Sequence, residues 1–180
     1  MPELVAPAMA VHRSYVEAME EFRLEGRDCP GDDGGIGRKT GADAADWADP
    51  DVFARFVWSL RLQSVETTPR PDGFVPSTAL WWVEEKEFLG ALSIRHRLTP
   101  WLLDVGGHIG YDVRPSARRR GHGTAMLRAA LPVAAGLGIE RALVTCDEDN
   151  EGSRRIIEKN GGVLEDRRGV KLRYWVPTAP

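Results

Sequence analysis

One stretch limits the fold more than any other. It reads Val113-Arg114-Pro115, then Arg118-Arg119-Arg120-Gly121-His122-Gly123-Thr124. Before it, His108 to Val113 has the apolar alternation of a strand; after it, Thr124 to Leu137 has the period of a helix. A strand that passes to a helix through a basic, glycine-containing loop makes an anion site. Glycine lets the backbone turn sharply and approach a ligand closely. The first N–H groups of the helix lack intrahelical partners, and the helix dipole adds partial positive charge there. His122 is expected to contribute through its main chain.

The spacing excludes two common phosphate loops. No lysine follows the second glycine, so the GxxxxGK[ST] loop is missing. The dinucleotide fingerprint needs a third glycine and a downstream acid, and neither is in place.

The rest of the chain reads as a mixed α/β (α+β type) single domain over residues 1–180. Val11 to Leu24 is a helix with Val11, Tyr15, Ala18, Met19 and Phe22 at helical spacing. Gly26 to Asp46 is glycine- and aspartate-rich without an apolar period, and is expected to be a mobile surface loop. Asp49 or Pro50 opens a second helix, lined by Phe53, Phe56, Val57 and Leu60. Thr67 to Ser77, with three prolines, is a second loop. Thr78 to Val83 and Phe88 to Arg95 form a hairpin around Glu84 to Glu87. Leu98 to Val105 reads either as a helical turn or as an irregular link. Pro132 is expected to kink the helix that follows the basic loop, and Gly136 and Gly138 to stop it. Arg141 to Cys146 is a strand buried on both faces. Asn150 to Asn160 is a short helix, and Val163 to Asp166 with Lys171 to Val176 is a hairpin around Gly169. The sheet is expected to be mixed and mostly antiparallel, flanked by helices.

Composition narrows the partners. The formal net charge of -3 argues against a nucleic-acid binder, although Arg114, Arg118 to Arg120, Arg154 and Arg155 concentrate basic charge locally. The two cysteines, Cys29 and Cys146, make no disulfide framework, and no metal-ligand spacing is visible. No secretory signal and no run of about 20 apolar residues is seen, so a cytoplasmic, membrane-free location is the expectation.

The motif Arg118-Arg119-Arg120-Gly121-His122-Gly123, with Val113-Arg114-Pro115 before it, resembles the pyrophosphate loop of the GCN5-related N-acetyltransferases, the GNAT superfamily. Downstream, Asn150-Glu151-Gly152-Ser153 resembles the family's Asn-x-x-Ala/Ser segment, with Gly161-Gly162 in place of a common Gly-Phe ending. The resemblance covers Thr78 to Val176, and Val11 to Leu60 fits the two helices the family places early. The runs Gly106 to Tyr111, Arg95-His96 and Arg173-Tyr174-Trp175 are similar to a bacterial subgroup of it.

The resemblance implies acetyl-coenzyme A as cosubstrate, with no metal. It assigns the pyrophosphate to Arg118, Arg119, Arg120, Gly121, His122, Gly123 and Thr124, and the pantetheine arm to the main chain of Val113. Asn150 falls near the thioester or the pantetheine, and Ser153 is counted with the cofactor-binding residues. N-capping is the other role open to Thr124 and Asn150. It implies transfer to a primary amine, of a small molecule first and of a protein second, and homodimers are frequent in the family. A non-catalytic acyl-coenzyme A sensor stays open, because Ile157 occupies the place of the tyrosine that many members use to protonate the thiolate.

Three residues are candidates for the chemistry. His108 is the first candidate base, because imidazole accepts a proton near neutral pH; His96, Glu84 and Glu85 follow. Tyr111 and Tyr174 are candidates to face the acetyl group, with half-buried sheet positions as the alternative. Asp104, Asp147 and Glu148 are candidates to attract a cationic amine.

Overall fold

In the computed structural model, residues 1–27 and 47–179 are described. The loop expected over 26–46 therefore lies outside the described residues from position 28 onward. A 3-10 turn, Met9–Val11, leads into α1, His12–Leu24, whose Tyr15, Ala18, Met19 and Phe22 are buried as their spacing requires. Helix α2, Pro50–Leu62, starts where the sequence signals it: Asp49 Oδ1 accepts the Asp51 N–H at 2.7 Å, and Pro50 fills the first turn.

Among the described residues, seven strands form two antiparallel sheets. Strands β1 (Glu3–Val5), β2 (Ser77–Glu84), β3 (Glu87–Arg95) and β4 (Ile109–Val113) lie in that order in the first. Strands β5 (Arg141–Asp147), β6 (Val163–Arg168) and β7 (Lys171–Pro177) make the second, in the order β5-β7-β6. The single central sheet of the sequence reading is thus divided between β4 and β5. The expected hairpins are present. Glu84 opposes Glu87 across a two-residue turn, and Arg168 opposes Lys171 across a turn in which Gly169 has φ +57°.

Three details differ from the sequence reading. Strand β1 went unseen, being three residues long with its partners Trp81 to Val83 far along the chain. The ambiguous link resolves as a helical turn running into a π-helix, Leu102–Gly106, closed by Gly107 N–H to Leu102 C=O at 2.6 Å. Helix α3 spans His122–Gly136, two residues earlier than expected, so His122, Gly123 and Thr124 belong to its first turn. It runs through Pro132 and stops at Gly138, φ +81°, where Ile139 N–H bonds Ala134 C=O. Helix α4, Glu151–Lys159, stops the same way at Gly161.

Two apolar clusters lie on opposite faces of the first sheet. On one face Leu80, Leu92, Ile94 and Ile109 meet α3, α4, Ala142, Val144 and Tyr174. On the other, Trp81, Phe88 and Ala91 meet Tyr15, Trp47, Phe53 and their neighbours on α1 and α2. Strand β4 is therefore sandwiched: Tyr111 turns toward α3 and α4, and Asp112 turns toward α1. None of the described helices is long and apolar enough to cross a membrane.

Candidate active site

The site is a cleft made by the division of the sheet. Near one end β4 and β5 meet through a single main-chain bond, His108 N–H to Leu143 C=O at 2.7 Å. Beyond it no ladder joins them. The pairing of β4 with β3 decides which of its groups face the cleft. Arg95 N–H bonds His108 C=O and Arg114 N–H bonds Leu89 C=O, at 2.8 and 2.9 Å. Ile109, Tyr111 and Val113 therefore occupy non-hydrogen-bonded positions, and their N–H and C=O groups point away from β3. One of them is engaged: Val113 C=O accepts Arg118 Nε at 3.1 Å.

At the far end of β4 the chain turns through a 3-10 turn, Pro115–Ala117, into the basic loop and α3. Gly121 is the N-cap of α3, in the left-handed region at φ +87°, and no side chain caps the helix. The free N–H groups of the first turn are left for a ligand. Among the described residues, nothing lies within 4 Å of where a Gly121 Cβ would stand, so this side of the loop is open to them. The second glycine serves packing instead. A Cβ on Gly123 would stand 2.5 Å from Ile156 Cδ1, so glycine lets α4 close against α3.

The arginines divide into two kinds. Arg114 is buried, with Nε 2.7 Å from Glu21 Oε1. Arg118 pairs with both oxygens of Glu25 at 2.9 Å. Arg119 and Arg120 are exposed and, among the described residues, have no ion-pair partner. They are the cationic side chains left for a phosphate. His122 turns its side chain away toward β2, where its Nδ1 accepts Trp82 Nε1–H at 3.3 Å.

Across the cleft, Asn150 accepts Ser153 N–H at 2.9 Å and so caps α4. Ser153 Oγ lies 2.7 Å from Tyr111 Oη. Tyr111, Ser153 and Asn150 thus form one chain of polar groups between β4 and α4. Burial pushes the Tyr111 phenol well above its ordinary range.

The other candidates lie elsewhere. Tyr174 is buried beneath α4, and its hydroxyl donates to Glu158 Oε1 at 3.2 Å. His108 is 8% exposed, and its Nδ1 accepts Leu143 N–H at 2.9 Å. With that lone pair engaged, its proton sits on Nε2. Burial, helped by the Arg95 charge, lowers its pKa to about 4. His96 Nε2 bonds Thr78 Oγ1 at 2.8 Å, and burial lowers it too. Glu84 meets the N-terminal amine, and Glu85 occupies the β2–β3 turn. Asp104, Asp147 and Glu148 pair with Arg168, Lys171 and Arg167.

The sequence reading passed over Asp112. It lies on the face of β4 opposite Tyr111, and its carboxylate is 2.8 Å from Arg27. The signal was strand alternation: a carboxylate between Tyr111 and Val113 must face the other way.

The sequence model of the acetyltransferase (GNAT) domain matches residues 38–163. No curated protein matches the chain. Among solved structures, RimJ of Mycobacterium smegmatis, in complex with CoA-disulfide, is 15% identical with a TM-score of 0.67, covering 98% of this chain and 81% of that one. RimL, a ribosomal α-N-protein acetyltransferase in complex with coenzyme A, is 16% identical with a TM-score of 0.64, covering 98% and 93%. The microcin self-immunity acetyltransferase MccE, in complex with acetyl-CoA and AMP, is 13% identical with a TM-score of 0.62, covering 98% and 92%. With the domain match spanning most of the sequence, over a divided sheet and a basic loop of this kind, the chain belongs to the acetyltransferase (GNAT) family.

Proposed function

We propose that this protein moves the acetyl group of acetyl-coenzyme A directly to a primary amine of a small molecule, with both substrates bound. One observation carries the reading: the free edge of β4 runs into the uncapped N-terminus of α3, beside the exposed Arg119 and Arg120, which have no ion-pair partner among the described residues. The residues present fit the cofactor. The main chain from Arg118 to Thr124, with the guanidinium groups of Arg119 and Arg120, holds the pyrophosphate, and the open side of Gly121 admits it. The Val113 N–H receives the pantetheine arm, its C=O being taken by Arg118.

Bound acetyl-coenzyme A supplies an activated carbonyl and a thiolate leaving group. The Tyr111–Ser153 pair donates a hydrogen bond to that sulfur, the task that Ile157 leaves unfilled, while the proton lost by the amine passes to solvent and the thiolate is protonated from solvent. Burial raises the Tyr111 phenol, so it keeps its proton and serves as a hydrogen-bond donor and not as an acid. Asn150 holds the first turn of α4, and so Ser153, in place. His108 has no lone pair free for the amine proton, so its assignment is orientation of the β4–β5 junction rather than base catalysis. Tyr174 supports α4 from below. We read residues 1–180 as one catalytic domain.

A protein α-amine is the second acceptor class, supported by the likeness to RimL. Calorimetry with acetyl-coenzyme A, followed by thiol release over a panel of amines and N-terminal peptides, tests the reading. Binding with thiol release on a small amine is the expected result. Release with peptides alone selects the protein acceptor, and binding without release selects a sensor. No binding at millimolar ligand removes the proposal.

A further inference from the structure

We infer that Glu21 of α1 is a positioning residue for the cofactor loop, an inference that rests on the acetyl-coenzyme A reading above. Two residues of that loop hold left-handed backbone: Arg119 at φ +62° and Gly121 at φ +87°. Arg119 has a Cβ, so this conformation is unfavourable for it and persists only where surrounding contacts over-determine it. Glu21 supplies those contacts from outside the loop. Its Oε1 accepts Arg114 Nε at 2.7 Å and Ser116 Oγ at 3.0 Å; its Oε2 accepts the Ser116 main-chain N–H at 2.9 Å. Arg114 in turn donates to Ser14 Oγ at 3.0 Å and to Phe88 C=O at 3.5 Å. One turn further, at the C-cap of α1, Glu25 holds Arg118, whose Nε bonds Val113 C=O.

The pattern is ordered. Carboxylates one helical turn apart, Glu21 and Glu25, grip the chain at alternate positions, 114, 116 and 118, immediately before the first left-handed residue. Glu21 reaches the main chain of the turn that leads into the loop, at the Ser116 N–H. Although burial opposes ionisation, the bonds from Ser116 and Arg114 outweigh it and hold the carboxyl below its usual range. The clamp is therefore set at neutral pH. Its consequence is a loop held ready for the pyrophosphate before the ligand arrives, which removes an ordering cost from binding.

The test compares Glu21→Ala and Glu21→Gln with Glu20→Ala, a change on the same helix at a residue bonded to Arg23. Coenzyme A affinity is measured by calorimetry, and amide exchange over residues 116–121 is measured in the free protein. Glu21→Ala is expected to weaken coenzyme A by about tenfold or more, equivalent to roughly 1.4 kcal/mol, and to speed loop exchange. It should raise KM for acetyl-coenzyme A while kcat at saturation and KM for the amine hold. Glu21→Gln keeps an acceptor for Ser116 and should fall between, and Glu20→Ala should match the parent. If Glu21→Ala does not fold, Glu21→Gln and Glu25→Ala decide. Parental affinity in the folded variants overturns the inference alone. A parent protein that fails to bind coenzyme A overturns the functional reading and this inference with it.

Discussion

His108 has a pKa lowered to about 4, and the direction of that shift fixes how it acts on stability. The ring is buried and spends Nδ1 on Leu143 N–H. The native state therefore favours the neutral imidazole, whereas the unfolded chain binds a proton below about 6.5. Between those values the unfolded state holds more protons, so stability rises with pH. The contribution is full above about pH 6.5 and is lost as pH falls toward 4, for a total of roughly 3 kcal/mol. His108→Asn keeps an acceptor for Leu143 but does not titrate. Urea midpoints measured from pH 7 to pH 4 should show a flatter acid limb for this variant than for the parent. Equal slopes would remove His108 as the source.

Elements whose signals are local were legible. Helix α2 is one: Asp49 caps it, Pro50 starts it, and Phe53 and Val57 are buried as their spacing indicates. Asp49→Ala should cost about 1 kcal/mol, typical of a lost N-cap. The urea midpoint should fall while coenzyme A affinity holds, since α2 lies on the sheet face away from α3. An unchanged midpoint would mean that packing of Phe53 and Val57, not the cap, sets the start of the helix. The hairpin turns, the glycine stops of α3 and α4, and the strand–loop–helix order around Arg118 to Gly123 were legible for the same reason, because each depends on residues within a few positions. What the sequence hid depends on distance. Strand β1 exists only because Trp81 to Val83 present an edge to it. The π-helix is held by Thr145 Oγ1 on Val105 C=O, forty positions away. The division of labour among the arginines was equally hidden. Arg114 and Arg118 look like Arg119 and Arg120 in sequence, and only the approach of Glu21 and Glu25 separates the two braces from the two that have no ion-pair partner among the described residues.

On the scale of the whole molecule, the two sheets are unequally supported. The first is packed on both faces, against α3 and α4 on one side and α1 and α2 on the other. The second joins the first through the cluster around Met126, Leu127, Val144 and Tyr174, and through the His108–Leu143 bond at the head of the cleft. A ligand lying along β4 and reaching Ser153 would touch elements from both sides of the division, and would bind only when both are folded. Linkage then requires stabilisation of about 2.7 kcal/mol at a ligand concentration one hundred times Kd. For a chain of this size, 1 kcal/mol moves the midpoint by roughly 2–4 °C. Acetyl-coenzyme A should therefore raise Tm by about 5–10 °C at that concentration. On the proposed reading, in which Arg119, Arg120 and the α3 N-terminus hold the phosphate end, raised salt should shrink the shift. Arg119→Ala with Arg120→Ala should shrink it further while leaving Tm of the free protein nearly unchanged, since neither side chain is ion-paired among the described residues. A scan with no ligand-dependent shift, or a shift indifferent to both arginines, would place the cofactor elsewhere than in this cleft.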